Sequence, residues 1–160
     1  MNIFVLDKDP QIAAQMMCDK HVVKMIVESA QMLSTAHRVL DGTEWTDYAK
    51  NGRRIKRWKS PYKLMEDLLY KASFVGHPCT QWVMKNDKNY YWLTEHAYEL
   101  CREYTRRYGK VHKTDDMISL IRYRKPQNIP IADSITPFAQ AMPEEYKNDN
   151  AVEAYRAYYL

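Results

Sequence analysis

The sequence predicts an all-α fold. Apolar residues recur near the 3.6-residue helical period over long stretches, and no region is rich enough in strand signals for a sheet. A polar residue followed by proline, which is typical of a helix start, precedes several of these stretches. Glycine, which is typical of a helix end, follows others. The chain has 160 residues, 46% of them apolar, so we expect one compact helical domain over residues 1–160.

The longest helical pattern lies near the start of the chain. Residues 2–6 are expected to form a short extended segment, and Asp9 before Pro10 resembles an N-cap followed by proline at the first helical position. Asp41-Gly42 resembles a helix stop. The pattern between them predicts a long N-terminal helix over about 11–40, or two helices joined by a kink.

The rest of the chain alternates helical and irregular patterns. Residues 43–60 are expected to form an extended basic loop, and Ser60-Pro61 is expected to start a helix that runs to Phe74. The further expectations are a helix over 79–108 interrupted near 86–87 and ended by Gly109, a short helix capped by Thr114, an extended proline-rich segment over 125–137, and a last helix starting at Pro143.

A concentrated positive charge is the clearest functional signal. The net charge is only +4, but residues 50–63 hold seven cations and no acid, with aromatic residues between them. Cations that bind phosphates and aromatic rings that stack on bases suit nucleic acid. The predicted contact residues are Lys50, Arg53, Arg54, Lys56, Arg57, Trp58, Lys59 and Lys63. The alternative is a solvated loop that only aids solubility.

A second basic cluster lies later in the sequence. Its members are Arg102, Arg106, Arg107, Lys110 and Lys113. In one interpretation, they extend the basic face formed by the cations of residues 50–63. In the other, they pair with Glu99 and Glu103 at helical spacing.

His21 and Glu28 are the strongest candidates for proton chemistry. They lie seven residues apart, two helical turns, and therefore share one helix face. The apolar neighbours Val22, Met25 and Ile26 are expected to desolvate Glu28 in part, which suits a carboxyl that exchanges protons. From spacing alone, a structural hydrogen bond between His21 and Glu28 is the favoured explanation of the pair.

Other classes of function have weaker signals. The candidate metal donors are Cys18, His21, His37, His77, His96, His112 and nearby acids. They form no HExxH, CxxC or HxH pattern, so we expect no metal. Three cysteines without CxxC spacing do not suggest a disulfide framework, and no apolar run is long enough for a membrane span. No signal peptide, cofactor or protein partner is inferred.

Four motifs, in order along the chain, carry a family resemblance. The segment 19–28, DKHVVKMIVE, resembles the first helix of the phage endonuclease V-type pyrimidine-dimer DNA glycosylases. The segment 53–61, RRIKRWKSP, is similar to their basic segment ending in Ser-Pro. Gly76-His77 and the stretch from Tyr91 to Gly109 resemble their later long helix. The sequence also resembles uncharacterised proteins of marine phages.

This resemblance implies a DNA-repair glycosylase and abasic-site lyase on a small helical fold. An N-terminal α-amine, here that of Met1, would attack the sugar of a damaged pyrimidine nucleotide and form an imine. Glu28 would transfer protons, and His21 would orient Glu28 or contact a phosphate. The implied partner is damaged double-stranded DNA, in the cytoplasm of a host cell if the protein is phage-encoded.

The sequence also departs from the pattern of that family. Asn2 follows Met1 where the family has the threonine that becomes its N-terminus, so Met1 is expected to remain. Val27 and Gln31 stand where the family has arginines. Two alternatives therefore stay open: a non-catalytic nucleic-acid-binding helical protein of phage type, and a metal-dependent enzyme that uses the His/Asp/Glu residues.

Overall fold

The computed structural model describes all 160 residues, and about half of them are helical. The helices are α1 (Pro10–Gln15), α2 (Asp19–Asp41), α3 (Lys63–Leu68), α4 (Pro78–Lys85), α5 (Asp87–Tyr108), α6 (Asp115–Ile121) and α7 (Ala151–Tyr159). Two strands, β1 (Thr43–Tyr48) and β2 (Arg54–Lys59), form one antiparallel sheet. The prediction of a helix-rich fold is confirmed, and the prediction of a strictly all-α fold is wrong.

The core is built around α2 and α5, the two longest helices, which pack against each other. Helix α1 packs on α5, and α4 packs against both α2 and α5. The N-terminal segment forms no strand, and its side chains Ile3, Val5 and Leu6 are buried in this core. None of the helices combines the length and apolar character needed to cross a membrane.

The N-terminal helical pattern forms two helices rather than one. Asp9 caps α1 as predicted, with its carboxylate accepting the amides of Gln11 and Ile12. The chain then breaks at 16–18 before α2 begins. The guanidinium of Arg107 donates to the carbonyls of Gln15 and Met17, so the groups left free at the break keep hydrogen-bond partners.

The predicted basic loop is a β-hairpin. Thr43 pairs with Lys59 at its base and Tyr48 with Arg54 near its tip. The tip turns through Gly52, whose φ of 81° lies in the left-handed region. Asn51-Gly52 is a turn signal, and threonine and aromatic residues favour strands, but the density of charge obscured both in the sequence.

Two other predicted helices are shorter than expected. The helix expected from Ser60 to Phe74 is only α3, because the buried guanidinium of Arg38 binds the carbonyls of Leu69 and Tyr70 and so holds the chain out of the helical path. The last helix begins at Ala151 rather than Pro143, which precedes only a 3₁₀ turn at Glu144–Tyr146.

The remaining boundaries agree closely with prediction. The chain breaks at Asn86 between α4 and α5, and Gly109 ends α5 in the left-handed conformation. Residues 125–137 form no helix or strand. Thr114 occupies the N-cap position of α6, but its hydroxyl bonds Tyr70 rather than the helix.

Candidate active site and nucleic-acid interface

Glu28 lies in a cleft of about 510 Å³ on the first half of α2. The residue is only 8% exposed. We call this space the Glu28 cleft. Its lining residues are Met1, Asn2, Phe4, Lys24, Met25, Glu28, His77, Pro78, Gln140, Ala141, Met142, Lys147 and Tyr158.

The N-terminal amine and the Glu28 carboxylate meet in this cleft. The nitrogen of Met1 lies 3.3 Å from Oε1 of Glu28, and the amide of Asn2 donates to the same oxygen at 3.0 Å. Nζ of Lys24 lies 3.8 Å from the other carboxylate oxygen. An amine and a lysine ammonium group therefore both lie within 4 Å of one carboxylate in one recess.

The side chain of Asn2 holds the N-terminus in position. Its amide nitrogen donates to the carbonyl of Ala141 at 2.9 Å, and its oxygen accepts the amides of Ile3 and Phe4. Phe4 follows with a φ of 57°, an uncommon conformation for an aromatic residue. The tight turn directs the amine back towards Glu28 while Ile3 enters the core.

The Met1 side chain is itself part of the structure. It is 2% exposed, whereas the residue as a whole is only half-buried. The exposure of Met1 therefore resides in its main-chain atoms, which include the amine. An amine that faces the cleft while its side chain is buried is held in one place.

His77 forms the wall of the cleft opposite α2. Its Nδ1 accepts the amide of Cys79 at 3.1 Å and caps α4. Burial and the nearby N-terminal amine lower the pKa of His77. The ring is therefore neutral near pH 7, with its proton on Nε2.

His21 does not form the expected hydrogen bond with Glu28. Its Nδ1 lies 2.8 Å from the hydroxyl of Tyr159, and its ring stacks on Phe4 with centroids 4.7 Å apart. Burial and the charges of Lys24 and Lys20 lower its pKa. Although His21 shares a helix face with Glu28, its hydrogen bond is with Tyr159 of the C-terminal helix α7. A catalytic role for His21 stays a prediction.

The basic hairpin, defined as residues 43–59 together with Lys63, carries all eight predicted nucleic-acid contact residues. Three of its cations have acidic partners: Lys56 pairs with Glu44, Arg57 with Asp47 and Lys63 with Asp67. The cations without an ion pair are Lys50, Arg53, Arg54 and Lys59, all exposed. Trp58 is half-buried, whereas Trp45 and Tyr48 are exposed.

The second basic cluster is partly neutralised. Glu103 accepts Arg106 at 2.6 Å and Arg107 at 3.0 Å, and Arg102 lies 4.0 Å from Glu99. The prediction of pairing with Glu99 and Glu103 is confirmed. The cluster therefore presents less free charge than its count of cations suggests.

No group of three or more His, Cys, Asp or Glu side chains in the chain is arranged to hold a metal ion. The six histidine and cysteine candidates are dispersed through the fold. His37 bonds Tyr90, and His96 bonds the carbonyl of Pro10. The metal-dependent alternative thus gains no ligand set from the structure.

Comparison with known proteins agrees with this geometry. The family model described as pyrimidine dimer DNA glycosylase matches residues 1–117, which include both the Glu28 carboxylate and the basic hairpin. The chain belongs to the pyrimidine dimer DNA glycosylase family. No curated protein and no solved structure matches it significantly.

Membership of the glycosylase family makes DNA with damaged pyrimidines the substrate at the family level. The suspected resemblance is confirmed. The family match ends at residue 117, yet residues 140–142, Lys147 and Tyr158 form one wall of the cleft. The C-terminal segment therefore completes the Glu28 cleft.

Sequence reasoning missed several residues of the site. Lys24 was visible at i−4 from Glu28, the helical spacing of an ion pair. The roles of Asn2, Phe4, His77 and Lys147 had no such local signal, because each depends on contacts between distant parts of the chain. Val27 and Gln31, the positions without the family arginines, are both half-buried on α2.

Proposed function

We propose that this protein is a bifunctional pyrimidine-dimer glycosylase and abasic-site lyase, with the amine of Met1 as nucleophile and Glu28 as acid and base. The contact of 3.3 Å between that amine and Oε1 of Glu28 carries the proposal. An α-amine is a usable nucleophile near neutral pH, and a carboxylate in contact with it can accept its proton.

The proposed reaction conserves atoms and charge. The amine nitrogen bonds to C1′ of the damaged nucleotide, the bond from C1′ to the base breaks, and the base departs with that electron pair and a proton. Loss of the amine proton and opening of the sugar ring form an imine. Removal of a proton from C2′ then expels the 3′ phosphate by β-elimination. Glu28 accepts and returns protons in these steps.

Positive charge in the Glu28 cleft supports phosphate binding there. Lys24 and Lys147 line the cleft and supply cations although Val27 and Gln31 are not arginines, with Lys147 also paired to Glu144 at 2.7 Å. The basic hairpin adds exposed cations for the flanking duplex. A damaged nucleotide must leave the base stack to reach an 8%-exposed carboxylate.

Borohydride trapping tests the nucleophile directly. We expect untagged protein to form a covalent adduct with duplex DNA carrying an abasic site, because borohydride reduces an imine to a stable amine. Mass spectrometry of the adduct should place the link on the α-amine of Met1. Protein with an acetylated terminus should give none.

An adduct on a lysine side chain would contradict the role of the amine. DNA binding without any adduct would favour the non-catalytic nucleic-acid-binding alternative. The same analysis distinguishes Met1 from Asn2, whose main-chain nitrogen lies 3.0 Å from the same carboxylate oxygen and would become the amine if Met1 were removed.

A further inference from the structure

A second cavity lies at the C-terminal end of α2, and it shares no residue with the Glu28 cleft. Its volume is about 750 Å³, which is in the range of sites for small-molecule ligands. Its walls come from the end of α2, the start of α3, the start of α5 and the segment after α6. We call it the His37 cavity. The proposed reaction makes no use of this space.

His37 supplies a buried hydrogen-bond acceptor to this cavity. The residue is 5% exposed, and its Nε2 lies 2.7 Å from the hydroxyl of Tyr90. That hydroxyl donates its only proton to the carbonyl of Ile121 at 3.0 Å, so it accepts the hydrogen bond from Nε2. Burial lowers the pKa of His37 to about 4, so the ring is neutral near pH 7 and Nδ1 carries a lone pair. No group of the protein donates to Nδ1, which leaves this acceptor for a ligand.

Asp41 lies one helical turn after His37 and adds a second acceptor on the same face of α2. One carboxylate oxygen accepts the amide of Gln127 at 2.8 Å, and the other accepts the amide of Asn128 at 2.9 Å. These bonds hold the carboxylate in place. Each oxygen has two lone pairs, so each can accept one more hydrogen bond. A ligand at this end of the cavity must therefore present hydrogen-bond donors.

Aromatic rings and cations line the rest of the His37 cavity. The aromatic residues are Tyr62, Tyr91 and Tyr123, of which the first and the last are exposed. Tyrosine rings of this kind stack on the flat faces of bases. Arg124 and Lys125 also line the cavity, and neither forms an ion pair with an acidic residue. Free cations beside aromatic rings suit a ligand that joins a flat ring to a phosphate.

We propose that the His37 cavity binds a guanine nucleotide, either free or as an unpaired residue of a strand. Guanine is the one common base whose Watson–Crick edge carries two adjacent donors, N1–H and the 2-amino group, and these match the acceptors of His37 and Asp41. Adenine and cytosine have an acceptor beside their amino group, and thymine has a carbonyl on each side of N3–H. Each of these bases would therefore set an acceptor against an acceptor. The tyrosines would stack on the base, and the cations would bind its phosphate.

Calorimetric titration with nucleoside monophosphates tests the acceptor pair without any change to the protein. Guanosine monophosphate should bind with a Kd below about 1 mM. Inosine monophosphate, which lacks only the 2-amino group, should bind roughly 5-fold more weakly or worse, because one acceptor then loses its donor. Thymidine monophosphate should also bind more weakly. Equal affinities for the three nucleotides, or no binding of guanosine monophosphate, would overturn the proposal.

Substitutions locate the binding in this cavity. Tyr123→Ala removes an exposed ring and should weaken binding of guanosine monophosphate by about 5- to 150-fold, the usual effect of losing a stacked aromatic side chain. Asp41→Asn, which replaces one acceptor oxygen by a donor amide, should reduce the preference for guanosine over inosine monophosphate. The matched control is Tyr108→Ala, which removes an exposed tyrosine outside the cavity and should leave the affinity unchanged. If this control loses as much affinity as Tyr123→Ala, the proposed site is wrong.

Duplexes with one unpaired terminal nucleotide distinguish the two sources of the ligand. If the cavity takes a strand residue, a terminal guanosine should raise DNA affinity over a terminal thymidine, and added guanosine monophosphate should abolish this difference. If it takes the free nucleotide, the two duplexes should bind equally. A guanosine preference that persists in Asp41→Asn would contradict the cavity. None of these measurements requires an imine, so failure of the proposed lyase reaction would leave the site standing.

Discussion

The Glu28 cleft and the basic hairpin place charge in opposite environments. In the cleft, one carboxylate that is 8% exposed contacts the Met1 amine, the Asn2 amide and Lys24. In the hairpin, four exposed cations have no ion pair. Short, partly desolvated contacts suit proton transfer, whereas exposed unpaired cations suit a polyanion that arrives from solution. Under the proposed function, the comparison teaches that the reaction belongs to the cleft and most of the affinity for the flanking duplex to the hairpin.

Removal of the carboxylate should have the largest effect and should affect only the reaction. Glu28→Gln keeps the shape of the side chain but cannot accept a proton, so strand scission on ultraviolet-damaged duplex should fall by roughly 10²- to 10⁴-fold. DNA affinity, measured by fluorescence anisotropy, should remain nearly unchanged.

The matched control is Glu153→Gln, an exposed residue of α7 whose carboxylate forms no ion pair or hydrogen bond. It should cleave as wild type does. If Glu28→Gln cleaves at the wild-type rate, the proposed role of the Glu28 carboxylate in the reaction is wrong.

Removal of hairpin charge should change affinity and leave the reaction intact. The triple substitution Lys50→Gln, Arg53→Gln and Arg54→Gln should reduce the slope of log affinity against log salt by up to about three. Cleavage at saturating protein should stay near the wild-type rate, because none of these residues lines the Glu28 cleft.

A second triple variant controls for net charge. Arg102→Gln, Lys110→Gln and Lys113→Gln remove the same number of cations from the second basic cluster. The slope should change less, because the hairpin cations are those we place on the duplex. Equal changes in slope for both triples would extend the DNA surface to the second cluster.

Acid should weaken the fold through two buried imidazoles. Burial lowers the pKa of His37 and of His96 to about 4, whereas both titrate near 6.5 when unfolded. The unfolded chain therefore binds more protons below pH 6.5, and the free energy of unfolding should fall between about pH 6.5 and 4. At pH 5 the loss is about 2 kcal/mol for each imidazole.

Urea unfolding at several pH values measures this loss. His96→Phe should reduce the pH dependence, and the control His21→Gln, which removes a less buried imidazole, should reduce it less. A free energy of unfolding that is constant from pH 7 to 4.5 would contradict the assignment.

Local patterns were enough to predict most helices and the chemistry of two regions. The spacing in α2 pointed to Glu28 as a candidate for proton chemistry, and the run of cations over 50–63 predicted a charged surface where the hairpin lies. Both signals depend on residues close in sequence. The hairpin was mistaken for a loop because its pairing, such as Trp45 with Arg57, depends on cross-strand contacts rather than on local charge.

By itself, the sequence determined that the chain is rich in helix, that a carboxylate lies on an amphipathic face and that cations cluster beyond it, because helical period and charge are local properties. Tertiary structure alone decided what surrounds that carboxylate. It brought the Met1 amine 3.3 Å from Glu28 and lined the cleft with residues 140–142, Lys147 and Tyr158. These contacts join distant segments, and they form only when the core between α2 and α5 places those segments together.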